Sequence, residues 1–377
     1  MTTEYFFPHE PTRLTIDNAS EIFIHCVNLG ASDVTLQTDE PIYAEIFGRL
    51  RRVTHRRLSN TEVGDIINGI YGPNGTTQLM SGKDVDTHHE IRPSRSERYR
   101  FRINATACLV EGHDGIQITA RTIPTDPPTL AGMNLPQAIV DAIAPEQGVV
   151  YITGATGSGK STLLSAIIRS IAEEPESHRK ILTYEAPIEF VYDSIEKQSC
   201  IVSQSEIPRH LPSFASGVRN ALRRKPRLIL VGEARDPETI GAVMEAAMTG
   251  HPVYTTLHSN SVAETMRRLV TTFPSEERQS RTVDIIETVR LIVSQRLVPT
   301  VDGKRVALRE YLVFDEKIRD QLLEADFTRV TGIIRHMVRE QGRSIVKDAQ
   351  EKFEAGLITE RQFKLIAEQS KREEQET

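Results

Sequence analysis

The chain has 377 residues, 38% of them hydrophobic and 26% charged, with 46 Lys and Arg against 52 Asp and Glu for a formal net charge of −6. That length can bury the cores of two or three domains, and the negative balance speaks against nucleic acid as the main partner. Three widely spaced cysteines, Cys26, Cys108 and Cys200, exclude a disulfide framework and a thiolate metal centre and fit reduced thiols in a cytoplasmic protein.

In chain order, Met1 to Pro8 lack a basic stretch followed by an apolar core, so no signal peptide is expected. No apolar run reaches the roughly 18 residues of a membrane span. Residues 11–130 read as a mixed α/β domain. Ile16, Ile22, Phe23 and Val27 predict a helix over Ile16–Leu29, closed by Gly30. Asp33–Gln37 and Ile42–Phe47 alternate as short strands. Val63, Ile66, Ile67 and Ile70 predict a helix over Thr61–Tyr71, with Asn60 as its cap. Arg98–Asn104 and Ile116–Arg121 alternate at period two, as half-buried strands do. Residues 122–136 carry four prolines and read as an extended linker, followed by a short helix, Gln137–Ile143.

From residue 148 strands and helices alternate, the signature of a parallel sheet covered on both faces. The expected strands are Val149–Thr153, Ile181–Tyr184, Leu228–Val231, Val253–Thr256 and Ala307–Val313. Four helices are expected after Phe314: Lys317–Glu324, Val330–Gln341, Ile345–Ala355 and Thr359–Lys371. The last seven residues read as a solvated end. The expected division is 1–124 for an N-terminal domain, 125–143 for a linker, 144–316 for a nucleotide-binding domain and 317–377 for a helical C-terminal region.

One stretch organises the whole. The β-branched run Val149–Thr153 breaks at Gly154, and an apolar helical pattern starts near Ser161 (Leu163, Leu164, Ile167, Ile168, Ile171). Between them Gly154-Ala155-Thr156-Gly157-Ser158-Gly159-Lys160-Ser161, followed by Thr162, has the spacing of a phosphate-binding loop. Glycines allow left-handed turns that direct successive N–H groups at phosphate oxygens. The helix adds the positive end of its dipole. Lys160 is placed to reach the β- and γ-phosphates of ATP, and the Ser161 hydroxyl to ligate Mg²⁺.

Hydrolysis also needs a carboxylate near Mg²⁺, a group acting on water, and compensation for charge on the γ-phosphate. Leu228–Val231 leads to Gly232-Glu233, a carboxylate at the end of an apolar strand. Glu185 stands at the carboxyl end of another strand, where parallel sheets keep their ligand crevice; a loop carboxylate there is otherwise solvated. His251 and His258 bracket a third strand, and His258 enters the same crevice. It is either a γ-phosphate sensor or a satisfied structural residue. Arg98, Arg100 and Arg102 share one face of a strand, which is either a solvated basic edge or a surface that meets nucleotide held by a neighbouring subunit.

In this order these segments resemble the secretion and pilus-retraction ATPases, the PilT-like branch of the type II/IV secretion superfamily. Gly154–Ser161 matches the Walker A segment and Thr183–Glu189 is similar to the Asp box. Leu228–Glu233 resembles the Walker B segment and Thr249–His258 the His box. Arg100-Phe-Arg-Ile-Asn104 and Arg121-Thr-Ile-Pro124 resemble the family's N-terminal arginine segments. Three departures stand out. Ala186 replaces the Asp of the Asp box, and Lys225-Pro-Arg227 precedes the Walker B strand where pilus motors tend to be acidic. The helix that carries retraction function is altered at Lys317-Ile-Arg-Asp-Gln-Leu322. These point away from a plain retraction motor and towards the ATPase of a type IVB (Dot/Icm-like) secretion system.

The resemblance implies a homohexameric ring at the cytoplasmic face of the inner membrane, docked through secretion-system proteins without inserting into lipid. Each subunit would have a PAS-like N-terminal domain and a RecA-like motor domain. Glu233 would position metal-bound water and Glu185 act as base, a division that could be reversed. His258 would sense the γ-phosphate, and Arg100, Arg102 or Arg121 would offset transition-state charge. The alternatives are a pilus retraction motor, a nucleotide-gated assembly module with negligible turnover, and a DNA-translocating ATPase, the last disfavoured by the net charge.

Overall fold

A computed structural model describes residues 5–94, 97–123, 126–326 and 329–375. It divides into two compact units, residues 1–126 with 187–191, and residues 127–186 with 192–377. Pro124 lies outside the described residues.

The first unit is a six-stranded antiparallel sheet with three helices. In chain order these are α1 (Ile16–Asn28), β1 (Ala31–Gln37), β2 (Tyr43–Ile46), β3 (Arg49–Arg52), α2 (Asn60–Tyr71), α3 (Gly75–Met80), β4 (Val85–Ile91), β5 (Tyr99–Val110) and β6 (His113–Ile123). The strand order is β3-β2-β1-β6-β5-β4. Phe23, Ile22 and Cys26 of α1 and Val63, Ile66 and Ile67 of α2 pack with Val34, Leu36, Phe101, Ile103 and Ile118 in one core. The cap of α2 is Ser59 rather than Asn60, because Glu62 three residues on completes a capping box. Burial would raise the Glu62 carboxyl. Arg56 and the donors of Leu14 and Ser59 outweigh it and hold its pKa at about 2.

The strands of the β5–β6 hairpin run longer than their alternation predicts. Glu111 and Gly112, both at positive φ, close it as a two-residue turn. Strands β3 and β4 escape the sequence reading altogether; both are edges of the sheet, and β3 is mostly exposed. An edge needs no alternating apolar face.

The second unit is built on α4 (Gln137–Ala142), β7 (Gly148–Thr153), α5 (Lys160–Glu173), β8 (Lys180–Glu185), β9 (Ile201–Glu206), α6 (Phe214–Ala221), β10 (Leu228–Val231), α7 (Pro237–Met248), β11 (Pro252–Leu257), α8 (Val262–Thr271), α9 (Arg278–Thr288), β12 (Val289–Pro299) and β13 (Arg305–Val313). The sheet order is β13-β12-β7-β11-β10-β8-β9. Strands β7, β10 and β11 are buried along their whole length, so they read as continuous apolar runs.

The sheet is mixed, not purely parallel: β13 pairs antiparallel with β12 as an edge hairpin. Neither β9 nor β12 was expected. β9 is only half-buried and polar. β12 begins at the residue after α9 ends, with no turn residue to mark it.

Four helices complete the unit, α10 (Glu316–Leu323), α11 (Val330–Glu340), α12 (Ile345–Glu354) and α13 (Glu360–Gln375). Their starts follow the sequence reading to within a residue, and α13 continues to Gln375, past the expected end at Lys371. Among the described residues no helix is long and apolar enough to cross a membrane.

Candidate nucleotide site

The phosphate loop joins β7 to α5. Gly154, Gly157 and Gly159 all take positive φ, at 145°, 75° and 83°. A Cβ at Gly154 would fall 2.2 Å from the Gln295 carbonyl oxygen and 2.4 Å from Ser158 Oγ, so only glycine fits there. Gly159 is the left-handed residue from which α5 starts, leaving the first amides of that helix without intrahelical partners. Ser158 Oγ is buried and has no hydrogen-bond partner among the described residues. Lys160 is 9% exposed, and its ammonium donates to the carbonyls of Gly154 at 2.8 Å and Ala155 at 2.9 Å.

Ala155, Thr156 and Gly157 form the exposed crest of the loop, and Ser161 and Thr162 lie half-buried in the first turn of α5. Left-handed glycines, an orphaned buried hydroxyl and a lysine closed onto its own loop suit a polyphosphate anion. The oxygen donors of Ser161 and Glu233 are the hard ligands Mg²⁺ takes.

Neighbouring strand ends bring the other candidates. Gly232 at the end of β10 donates its N–H to the Tyr184 carbonyl of β8 at 2.7 Å, and a Cβ on it would meet the Glu185 backbone at 3.3 Å. Ala234 donates to the Thr256 carbonyl of β11, and Thr256 Oγ1 to the Gly232 carbonyl at 2.6 Å. Glu233 and His258 are thereby held together, Oε1 to Nε2 at 3.5 Å. Burial lowers the His258 pKa, as do the charges of Lys160 and Arg268, with Glu233 pulling the other way. The imidazole is neutral at pH 7. Glu185 Oε1 accepts from Thr183 Oγ1 at 2.6 Å and from Gln204 Nε2 at 3.0 Å.

Gln204 lies on β9 and Gln295 on β12, and both were missed with their strands. The alternation of Val289, Leu291 and Val293 was the available signal for β12. His251 is structural: its ring Nδ1 lies 3.1 Å from the Ala246 carbonyl at the end of α7.

The arginines lie in the first unit. Strand β5 runs between β6 and β4, so it is not a solvated edge, and Arg98 precedes it. Arg100 is 1% exposed and donates to the carbonyls of Glu189 at 2.7 Å and Ile188 at 2.9 Å, with Glu90 3.5 Å from its Nε. Arg102 makes a two-pronged pair with Asp86, at 3.1 and 2.7 Å. Arg121 pairs with Asp33 at 2.8 Å.

The description "Type II/IV secretion system protein" matches residues 96–376. The chain belongs to that family. It is 66% identical to the ATPase DotB of Legionella pneumophila, whose crystal structure superposes with a TM-score of 0.91 over 96% of this chain and 98% of that one. The crystal structure of the pilus retraction motor PilT with bound ADP is 29% identical, with a TM-score of 0.79 over 91% of this chain and 95% of that one. The type IV pilus retraction ATPase PilT of Pseudomonas aeruginosa is 34% identical over 305 residues, 81% of this chain and 85% of that protein. The mixed α/β architecture with two sheets is that of these ATPases.

Proposed function

We propose that the protein is a Mg²⁺-dependent ATPase that powers a type IVB-like secretion system, working as a homohexamer docked through partners at the cytoplasmic face of the inner membrane. It is an ATPase of the type II/IV secretion family. The observation that carries the site assignment is the convergence of the phosphate loop, Glu185, Glu233 and His258 on adjacent carboxyl ends of one parallel run, β7-β11-β10-β8. Residues 1–124 would be the PAS-like domain, 144–316 the RecA-like motor and 317–377 a helical accessory region, joined by 125–143.

Lys160 now uses its ammonium on two neutral carbonyls, and a polyphosphate offers it charged acceptors instead. Mg²⁺, held by Ser161 and Glu233, would supply charge neutralisation for the phosphates. Glu185, which accepts hydrogen bonds from Thr183 and Gln204, would take a proton from water. Neutral His258 can donate one hydrogen bond to a phosphate oxygen. Among the arginines, Arg102 and Arg121 suit the offset of transition-state charge better than Arg100. Their ion pairs are exposed and worth about 0–1 kcal/mol, so an exchange of partner is cheap.

Hydrolysis measured against protein concentration, with native mass, tests this reading. Turnover per subunit should climb as hexamer forms and vanish in Lys160→Ala. Equal turnover in monomer and oligomer removes the arginine from a neighbour. A retraction motor is the second reading, favoured by the similarity to PilT over 81% of the chain. It requires that the protein restore twitching in a strain lacking its retraction motor.

A further inference from the structure

The hairpin β12–β13 carries polar groups where an interior strand pair would ordinarily be apolar. Gln295 is 4% exposed and Arg309 5%, paired across the two strands. An unpartnered amide or guanidinium at such depth is costly, and here the contacts are specific. Gln295 Nε2 donates to the Ser158 carbonyl at 2.8 Å. Its Oε1 accepts from Arg309 Nε at 2.8 Å, and Arg309 Nη1 reaches the Asn134 carbonyl at 3.4 Å.

The Arg309 backbone N–H donates to Asp348 Oδ2 at 2.9 Å, and Asp348, on α12, is 3% exposed. Its other oxygen lies 2.7 Å from Arg343 Nη2, which also pairs with Glu351. Arg309 thus links α12 to the phosphate loop, its backbone N–H held by Asp348 and its guanidinium by Gln295.

Gln295 also bounds the loop at both ends. Its carbonyl lies 2.2 Å from where a Cβ of Gly154 would stand, and its side-chain nitrogen 2.9 Å from that of Gly159. In a trans peptide the carbonyl of one residue and the N–H of the next point in opposite directions. Holding the Ser158 carbonyl against Gln295 therefore directs the Gly159 N–H away from β12.

We propose that Gln295 is a positioning residue for the phosphate loop, fixing the Ser158–Gly159 peptide plane, and that Arg309 and Asp348 make its setting depend on α12. A displacement of α12 is then read as a change in nucleotide affinity. The affinity consequence rests on residues 154–161 holding the nucleotide; the setting of the loop does not.

The test uses the full chain and Gln295→Glu, which keeps volume and the Arg309 contact but removes the donor to Ser158. Amide hydrogen exchange over residues 154–162 is measured without nucleotide, and the affinity for a fluorescent ADP analogue is measured beside it. Exchange in the loop should rise about tenfold with β7 and β11 unchanged, and ADP should bind about tenfold more weakly. Asp348→Asn, which keeps an acceptor for the Arg309 N–H but loses the charge facing Arg343, should move both in the same direction by about threefold.

Wild-type exchange in the loop of Gln295→Glu overturns the proposal, as does a rise spread equally over β7, β10 and β11, which marks an ordinary core residue. Asp348→Asn without effect overturns the link to α12. If Gln295→Glu does not fold, Arg309→Lys, which loses the planar donor to Gln295, decides by the same exchange measurement. If wild type itself binds no ADP, the nucleotide reading of the loop fails while the exchange comparison still judges Gln295.

Discussion

The candidate site residues fall into two groups with opposite electrostatic character. At the strand ends of the second unit, Glu233 and His258 are 29% and 39% exposed at the side chain and 3.5 Å apart. Lys160 rests on neutral carbonyls and Glu185 on neutral donors. Hydrogen bonds to a charged group are worth about 1.5–3 kcal/mol each, and a charged ligand can take the place of the neutral partner. In the first unit Arg102 and Arg121 already face carboxylates at 2.7–2.8 Å, while Arg100 is buried between the carbonyls of Ile188 and Glu189 and the Glu90 carboxylate. Both groups must exchange partners to meet a ligand, the first releasing neutral hydrogen-bonding groups and the second carboxylates.

The largest effect should break the first group from within. Glu185→Gln should keep ATP affinity while turnover falls roughly 10²–10⁴-fold, read by equilibrium binding beside steady-state hydrolysis. Turnover that survives in Glu185→Gln and collapses in Glu233→Gln would reverse the two roles.

A smaller effect separates the arginines. Arg100→Ala removes the buried donors to the carbonyls of Ile188 and Glu189 and the cation beside Glu90, and should cost the first unit about 1–3 kcal/mol, seen as a lower melting temperature. Arg121→Ala, whose side chain is 65% exposed, should change stability by less than about 1 kcal/mol yet reduce hydrolysis in the assembled protein. A stable Arg100→Ala would erase the distinction drawn between the three.

The smallest effect is a pH shift. His258 titrates below its ordinary 6.5, chiefly through burial and Lys160. The unfolded chain therefore takes up this proton first. Any stability from the neutral ring is present above pH 6.5 and lost as pH falls. NMR titration of the ring in Glu233→Gln, which removes the opposing carboxylate, should place its pKa lower still. A move upward would mean that Glu233 does not act on His258.

Much was legible in the sequence because local rules suffice for it. The phosphate loop needs glycines at fixed spacing between an apolar strand and a helix, and Gly154, Gly159 and Lys160 stand where that pattern puts them. The buried strands β7, β10 and β11 are apolar runs in their own right, and the C-terminal helices keep their 3.6-residue period. Glu185, Glu233 and His258 could be placed at strand ends because each strand announces where it stops.

Tertiary structure alone decided how residues distant in sequence pair. Arg100 reads as one of three arginines on a shared face, yet its partners, the carbonyls of Ile188 and Glu189, are 88 and 89 residues away. Gln295 sits on a strand with no turn before it, and its contact with Ser158 spans 137 residues. The period of a strand tells which side chains share a face. It carries no information about which strand lies beside it or which backbone group waits opposite; that is set by the strand order of the folded sheet.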